Sequence, residues 1–526
     1  MSYWEKIRGL VRFGLKLHGF LDETLSLDEA KRRIETGVSS RCENFLYKLK
    51  SAVLHNPRSP YRILLEAAGC EFGDIERLVE KEGLDGSLRI LAESGVYLSY
   101  DEFKCRIPTI RGSQTFVFQE QDFNDPLIEG QLFSTSGGSR SKPVRIPEDV
   151  NHISLMAQHW AVFLAENDGF AGPLLFWTPG HAAVASRQLA CAKCNKTFQH
   201  WFVSEQMTST KDRLYAACIN GLARRTAGFP RPKIVPFSEP NVILACLFDL
   251  LRAGKKVCLN TAPSAAVKLS AAAMDKNRYL SGVSFLLGAE PLTSAHRHTI
   301  EMSGARAIPL YGSSEAPWIG GQCRHPEWPD EVHLLLDGYA VILDPADMSN
   351  EDGQGNRLLL TSLHHASPKV LLNTDIGDRG ILTTRRCDCL YDRLGCRVSL
   401  HRIRSSEKIT AFGVTIAVSD VYYVLNEIFP KRFGGTAGDY QLVETHDPQG
   451  QPRYTLLVAP DLPSLEERAL PAAFLSELGK IRASYGFMVT TWSRENLIRV
   501  RRSKPIRTFR GKVLAFYRVG DIELKV

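Results

Sequence analysis

The spacing of apolar positions divides the chain into regions of different period. Up to about residue 110, apolar residues recur three and four apart in LVRFGLKL, RCENFLYKLKSAVL, YRILLEAAGC, IERLVEKEG and DGSLRILAESG. This spacing predicts amphipathic helices broken at Gly, Pro and Asp. From about 130 to 400, short apolar runs alternate with helical stretches. The runs are GPLLFWTPG, KIVPFS, KKVCLN, GVSFLLGAE and AIPLYGSSE; the helices are ASRQLACAKC, VILACLFDLLRAG, AAVKLSAAAMDKN and one through His298. That alternation predicts an α/β domain with sheets covered by helices. After Pro345, the runs RLLLTSL, KVLLNTD and GILTT predict a β-rich portion. The last stretch alternates again through TIAVSDVYYVLNEIF, YQLVETHD, YTLLVAP, LPAAFLSELGKIRASYG and ENLIRVRR, as a small α+β domain would. The expected organisation is a helical region over 1–110, a core domain over 111–403 and a small domain over 404–526. No internal repeat or low-complexity segment interrupts it.

Composition adds little to this except in its charge. The 526 residues are 44% hydrophobic and 23% charged, which excludes intrinsic disorder, collagen and a small disulfide scaffold. Lys and Arg number 65 against 58 Asp and Glu, a net of +7. Residues 494–526 hold ten basic and three acidic side chains, so the rest of the chain balances at 55 against 55. A nucleic-acid-binding protein spreads its excess along a face; this chain is neutral with a basic tail. Twelve cysteines at irregular spacing, with no signal segment ahead of them, fit a reducing, cytoplasmic setting. No apolar run is long enough for a membrane span. The first helix, with Trp4, Ile7, Leu10 and Val11 opposite Lys6, Arg8, Arg12 and Lys16, either packs on its own domain or anchors at a membrane surface.

Four segments offer chemistry. In LFSTSGGSRSKPVRI, residues 132–146, small residues leave backbone N–H groups free for an anion and basic side chains follow. The Walker spacing is absent, and a plain surface loop is the competing reading. In FLLGAEPLTSAHRH and LYGSSEAPW, Glu290 and Glu315 sit where strands stop, the usual place for ligand-facing groups in an α/β sheet. A hard carboxylate oxygen there suits Mg²⁺ on a nucleotide phosphate; helix capping competes. In LLNTDIGDRGIL, Asp375 and Asp378 flank a Gly turn, and a carboxylate there can grip a ribose diol or simply shape a β-turn. In RVRRSKPIRTFRGKVLAFYRV, Lys512 follows Gly511 within apolar residues that predict packing, with a nucleic-acid patch as the alternative. His181, Phe176 and Trp177 could line an acyl pocket or belong to the core.

The order of these segments resembles the adenylate-forming superfamily of acyl-CoA synthetases, peptide-synthetase adenylation domains and luciferases. TSGGSRSKP resembles its phosphate loop TSGTTGKPK, GAEP its GGEP strand, YGSSE its YGxTE, and TDIG its TGDxG. RSSEKITAFGVTI resembles the hinge GRxDDxIKxxGxxI, and PIRTFRGK resembles PRTxxGK. The matched stretch runs from about residue 132 to the end. Departures include one extra residue between Gly137 and Lys142, Arg140 for a Gly, Ile403 for the Gly before Arg404, and Ser406-Glu407 for the paired acids. GQCRHPEWPDEVHLLLDGYAVILDP, the Cys387-x-Cys389 pair and YQLVETHDPQG are similar to the phenylacetate–CoA ligase branch and its relatives.

The resemblance implies an α/β fold: a large adenylate-forming domain followed by a small mobile α+β domain carrying the catalytic lysine. It implies an AMP-forming acid–thiol ligase: ATP and a carboxylic acid give acyl-AMP, and CoA then takes the acyl group. A carrier protein in trans or an amine is the alternative acceptor. A non-catalytic nucleotide- or nucleic-acid-binding protein is the remaining alternative, and a nucleic-acid partner is not expected. Carried over, Thr135, Ser136 and Gly137 hold the β- and γ-phosphates. Gly288, Ala289 and Glu290 border adenine, Tyr311 and Gly312 complete that wall, and Tyr311 stacks on the base. Ser314 donates to the α-phosphate and Glu315 holds Mg²⁺. Asp375 binds the ribose with help from Arg404, and Lys512 bridges carboxylate and α-phosphate. Ser405 to Lys408 form the hinge. In zinc-bearing members the ligands correspond to Cys323, His333, Cys387 and Cys389, which make a closed tetrahedral Zn²⁺ site. Cys191, Cys194 and His200 form a rival local cluster.

Overall fold

The computed structural model describes residues 3–130, 132–135, 145–179, 184–205, 210–347, 355–405, 408–447, 450–462, 466–482, 485–507 and 513–519. The helical start is as the periodicity predicts: Tyr3–Asp22, Leu27–Ser39, Arg41–Lys48, Pro60–Ala67, Phe72–Glu93 and a short turn Tyr100–Phe103. Local chemistry sets the ends. The Ser26 hydroxyl accepts from the Glu29 N–H, and Pro60 occupies a first turn where its missing N–H costs nothing. Ser99 and Glu102 form a reciprocal capping box. The Phe72–Glu93 helix breaks at Gly83, whose φ of 69° only glycine adopts readily. Phe13 and Leu17 of the first helix are fully buried, and its Gly14 lies against Leu222 of the helix Thr210–Ala227. The helix therefore packs on its own domain, with Val11 and Leu15 outward; the side chains of Trp4 and Ile7 are outside the described set.

Twelve strands form one continuous sheet with a change of sense in its middle. From one edge, Pro232–Ile234, Phe198–Val203, Leu174–Thr178, Val257–Thr261, Val283–Leu287 and Arg306–Tyr311 run parallel. Gly320–Gly321 then pairs antiparallel to Arg306–Tyr311. Val332–Leu334, Val398–Ser405, Thr374–Thr384, Asn356–Ser362 and Tyr339–Leu343 continue antiparallel to the far edge. The parallel half is buried on both faces, which is why its strands read as unbroken apolar runs. Along Leu174–Thr178, Leu174 and Phe176 enter one core while Leu175 and Trp177 enter the other. Phe176 and Trp177 are thus core residues. The KVLLNTD run becomes a strand only at Thr374, because Asn373 takes a left-handed φ of 47°. Its side chain is spent on the carbonyls of Leu88 and Val96.

The strand Val398–Ser405 keeps Arg404 within the large sheet, in register with Arg379. Beyond it, the hairpin Lys408–Ala411/Val414–Ala417 leads to a four-stranded sheet. Its order is Ile498–Arg502, Pro452–Val458, Tyr440–His446 and Phe516–Arg518, with the helices Leu470–Ile481 and Tyr485–Arg494. Tyr440, Leu456 and Trp492 of this unit share a core with Leu247 and Phe285 of the parallel half. Among the described residues, no helix is long and apolar enough to cross a membrane.

Candidate functional site

Parallel strands end together, so the loops that follow them meet at one rim. Gly288, Ala289 and Glu290 follow the strand Val283–Leu287, and Gly312 to Glu315 follow Arg306–Tyr311. Gly312 has no substitute: a Cβ there would lie 2.3 Å from the Pro317 carbonyl oxygen and 3.1 Å from that of Ala316. The turn closes through the Ala316 N–H, which donates to the Ser313 hydroxyl at 3.1 Å. It leaves Ser314 exposed and Glu315 buried. Ala289 has a φ of 70°.

Tyr311 is buried and donates its hydroxyl proton to Asp378 at 2.9 Å. Burial first, then the Asp378 charge, raises its pKa well above the ordinary tyrosine value. Asp375 lies on the same strand as Asp378 and accepts the Gly377 N–H at 2.6 Å, while Arg357 stands 3.4 Å from its other oxygen. The YGSSE and TDIG segments are therefore brought together. Arg404 instead pairs with Asp330 at 3.1 Å, and Asp330 also accepts the N–H groups of Arg402 and Ile403.

Glu290 works as a cap. It accepts from the backbone N–H and hydroxyl of Ser264, at the start of the helix Pro263–Met274, at 3.0 and 2.9 Å. It also accepts the Gly413 N–H from the tip of the C-terminal hairpin. Burial outweighs these hydrogen bonds and raises its pKa to about 7. Phe412 adds an N–H to the Ser264 hydroxyl, and Gln451 donates to the Ser264 carbonyl. The small domain is thus docked on the rim through Ser264 and Glu290.

Glu315 has neighbours the sequence did not announce. Lys104, from the helical region, is ion-paired with it at 2.5 Å, both side chains being nearly buried. Burial alone would raise the carboxyl pKa, but the charges of Lys104 and Lys408 overcome it and hold it at about 2. Lys369 lines the same small cavity, with Phe103, Glu120 and Phe123. Its ammonium donates to the Glu120 carbonyl at 3.0 Å and the Asn124 side chain at 2.6 Å. Burial lowers its pKa to about 8. Neither Lys104 nor Lys369, the first residue of the KVLLNTD run, carries a site signal of its own in the sequence, and only the fold brings them here.

Thr135 ends the strand Leu132–Thr135 and pairs with Arg145 of Arg145–Glu148, so the two ends of the Gly/Ser loop are held side by side. Ser136, Gly137, His181 and Lys512 lie outside the described residues, as do Ser406 and Glu407 of the hinge. Arg507 and Val513, on either side of the Lys512 segment, form an antiparallel bridge.

On the antiparallel half, Cys323, His333, Cys387 and Cys389 converge, their ligand atoms all within 4.8 Å of one another. Cys387 and Cys389 Sγ are 3.0 Å apart and lie 3.4 and 3.6 Å from His333 Nε2. His333 Nδ1 meets the Cys396 carbonyl at 2.8 Å, which aims Nε2 at the thiols. Asp392 accepts the N–H groups of Cys387 and Asp388, bracing the Cys-x-Cys turn. Three sulfurs and one imidazole in this arrangement fit a closed tetrahedral zinc site. Among the described residues this is the one such group. The rival Cys191, Cys194 and His200 are not gathered: Cys194 donates to the Ala190 carbonyl, and His200 stacks on Phe202.

Neither the protein-family models nor the curated proteins contain a match to this chain. Solved structures do. A crystal structure of 2-hydroxyisobutyryl-CoA ligase with 2-HIB-AMP and CoA, in the thioesterification state, superposes with a TM-score of 0.55 at 16% identity, covering 91% of this chain and 90% of that one. The same ligase in its postadenylation state gives 0.47 at 15% identity, over 91% and 88%. An amide bond synthetase from Marinactinospora thermotolerans gives 0.41 at 12% identity, over 92% and 97%. The first superposition shows that this chain shares that ligase's fold, an α/β body with a small C-terminal domain.

Proposed function

We propose that the chain is an AMP-forming acid–thiol ligase, activating a carboxylic acid with ATP and passing the acyl group to CoA. The observation that carries this reading is the meeting of separate motifs at one rim: Gly288 to Glu290, Tyr311 to Glu315, and Asp375 with Asp378. The shared fold with a ligase that holds 2-HIB-AMP and CoA supports it.

In this reading the rim orients ATP. Thr135, Ser136 and Gly137 hold the β- and γ-phosphates, Tyr311 backs adenine, Ser314 donates to the α-phosphate and Asp375 takes the ribose hydroxyls. Arg404 helps only by leaving Asp330. Lys512 meets the carboxylate and the α-phosphate as charge develops, so the gain is positional and electrostatic. Mg²⁺, when bound, neutralises phosphate charge; Glu315 is already paired with Lys104, so its carboxylate does not fit the ion. The zinc cluster would tie three separate segments together, and its four ligands favour the phenylacetate–CoA ligase branch. Outside that cluster the cysteines stand as free thiols, in keeping with the cytoplasm. Arg499 and Arg501, exposed on the edge strand Ile498–Arg502, suit an anionic acceptor, either the phosphates of CoA or an acidic carrier protein.

The test is pyrophosphate release, screened over aromatic, short and long aliphatic acids with and without CoA. Release with one acid class, and an acyl thioester only when CoA is present, is the expected result. No release with any acid, together with salt-sensitive DNA binding, would replace this reading with a binding protein.

A further inference from the structure

The helix Tyr3–Asp22 buries only one side. Phe13 and Leu17 enter the core, and Gly14 lies against Leu222 of the helix Thr210–Ala227. The other side faces solvent. Leu15 is 78% exposed and Val11 56%. Arg8 and Arg12 are exposed as well. The four positions 8, 11, 12 and 15 are three and four residues apart, so they share one helical face. The adjoining helix adds Leu214, which is exposed, and an exposed Arg224.

The charge of this surface is not balanced within the chain. Lys16 is paired with Glu129 at 2.8 Å, and His18 stands 4.0 Å from Asp22. Arg8, Arg12 and Arg224 make no ion pair or side-chain hydrogen bond among the described residues. Unmatched guanidinium groups therefore surround wet aliphatic side chains. A nucleic acid would take the arginines and leave Leu15 and Val11 in water. An acidic protein loop would do the same unless it also brought an apolar surface. An anionic bilayer takes both, because its headgroups attract the cations and its acyl boundary accepts the aliphatic groups. Among the described residues no helix is long and apolar enough to cross a membrane, so the contact would be lateral.

We propose that the outer face of Tyr3–Asp22, with the adjoining Thr210–Ala227, docks on an anionic phospholipid surface. Val11, Leu15 and Leu214 enter the headgroup boundary, and Arg8, Arg12 and Arg224 lie against lipid phosphates and carboxylates. Few apolar side chains take part, so the docking is reversible and weakens as salt screens the arginines. It requires neither nucleotide nor acid and so stands apart from the ligase reading. Where both hold, the enzyme works beside the phase in which apolar acids collect.

The experiment is co-sedimentation of the full-length chain with vesicles of phosphatidylcholine, alone or with about one-third phosphatidylserine. Wild type should bind the anionic vesicles about tenfold or more tightly than the neutral ones, and added salt should shrink the difference. Arg8→Glu with Arg12→Glu should weaken binding by about tenfold or more, and Leu15→Ser by about threefold. Lys431→Glu with Arg468→Glu removes the same charge from exposed positions of the small domain and should leave binding within about twofold of wild type. Circular dichroism melts confirm folding, and Arg8→Gln with Arg12→Gln serves if the glutamate pair unfolds. Equal binding to the two vesicle types overturns the proposal. So does wild-type binding by the folded face variants, or an equal loss in the small-domain pair, which would mean net charge rather than this face. Binding to DNA without binding to vesicles, lost in the Arg8 and Arg12 variants, would hand the face to nucleic acid instead. Pyrophosphate release is scored separately, so either reading can fail while the other stands.

Discussion

Gly413, at the tip of a C-terminal hairpin, donates its backbone N–H to the carboxylate of Glu290, which also caps the helix that starts at Pro263. One side chain thus joins a strand-end loop, a helix start and the small domain. Gly413 has a φ of 69°, and a Cβ there would come within 2.8 Å of Pro179. The hairpin approaches this closely because it ends in glycine.

This contact is pH-sensitive in a stated direction. Burial raises the folded-state pKa of Glu290 from 4.5 to about 7. A carboxyl with a raised folded pKa stabilises most below its unfolded pKa, and that contribution is lost as pH rises through the folded value. The thermal midpoint of wild type relative to Glu290→Gln should therefore fall between pH 5 and pH 8. Parallel profiles for the two proteins would show that Glu290 does not titrate there.

Gly312 should tolerate no side chain. A methyl group 2.3 Å from the Pro317 oxygen must push the backbone. Gly312→Ala is expected to cost about 1–3 kcal/mol in urea unfolding. It should also lower acid-dependent pyrophosphate exchange more than the stability loss explains, because Ser314 and Glu315 follow directly. Full exchange at wild-type stability would mean the turn is softer than its contacts imply.

Metal analysis of protein purified without chelator should find about one zinc per chain. The Cys387→Ser, Cys389→Ser double variant should lose it, along with part of the thermal stability, since the four ligands come from three separate segments. Zinc retained in that variant would point to a different site.

Much of the architecture was readable because its signals are local. Apolar runs mark the parallel strands, three-and-four spacing marks the N-terminal helices, and the Cys387-x-Cys389 pair marks half of the thiol cluster. What was hidden depends on distant contacts. The Lys104–Glu315 pair spans 211 positions, and nothing near either residue names the other. KVLLNTD reads as a strand, yet Asn373 turns left-handed because its amide satisfies two carbonyls of the helical region. Glu290 looks like a ligand-facing acid but is occupied as a cap, and telling these apart requires knowing where Ser264 and Gly413 lie.

The two half-reactions should separate at Lys512. The chain enters its segment from Arg507 and leaves at Val513, a pair bridged beside the strand Phe516–Arg518 of the small domain. In the proposed mechanism the small domain turns at Ser405 to Lys408, and a long, flexible ammonium on it reaches two oxygens in one state and withdraws in the next. Lys512→Ala is therefore expected to abolish acid-dependent ATP–pyrophosphate exchange while leaving thiolysis of supplied acyl-AMP by CoA near wild type. A proline at Ser405 or Lys408 should give the opposite pattern, sparing exchange and slowing thioester formation, because those residues lie at the end of the large sheet and the start of the hairpin. Retained exchange in Lys512→Ala would remove the lysine from the chemistry, and equal loss of both steps in the proline variants would remove the hinge.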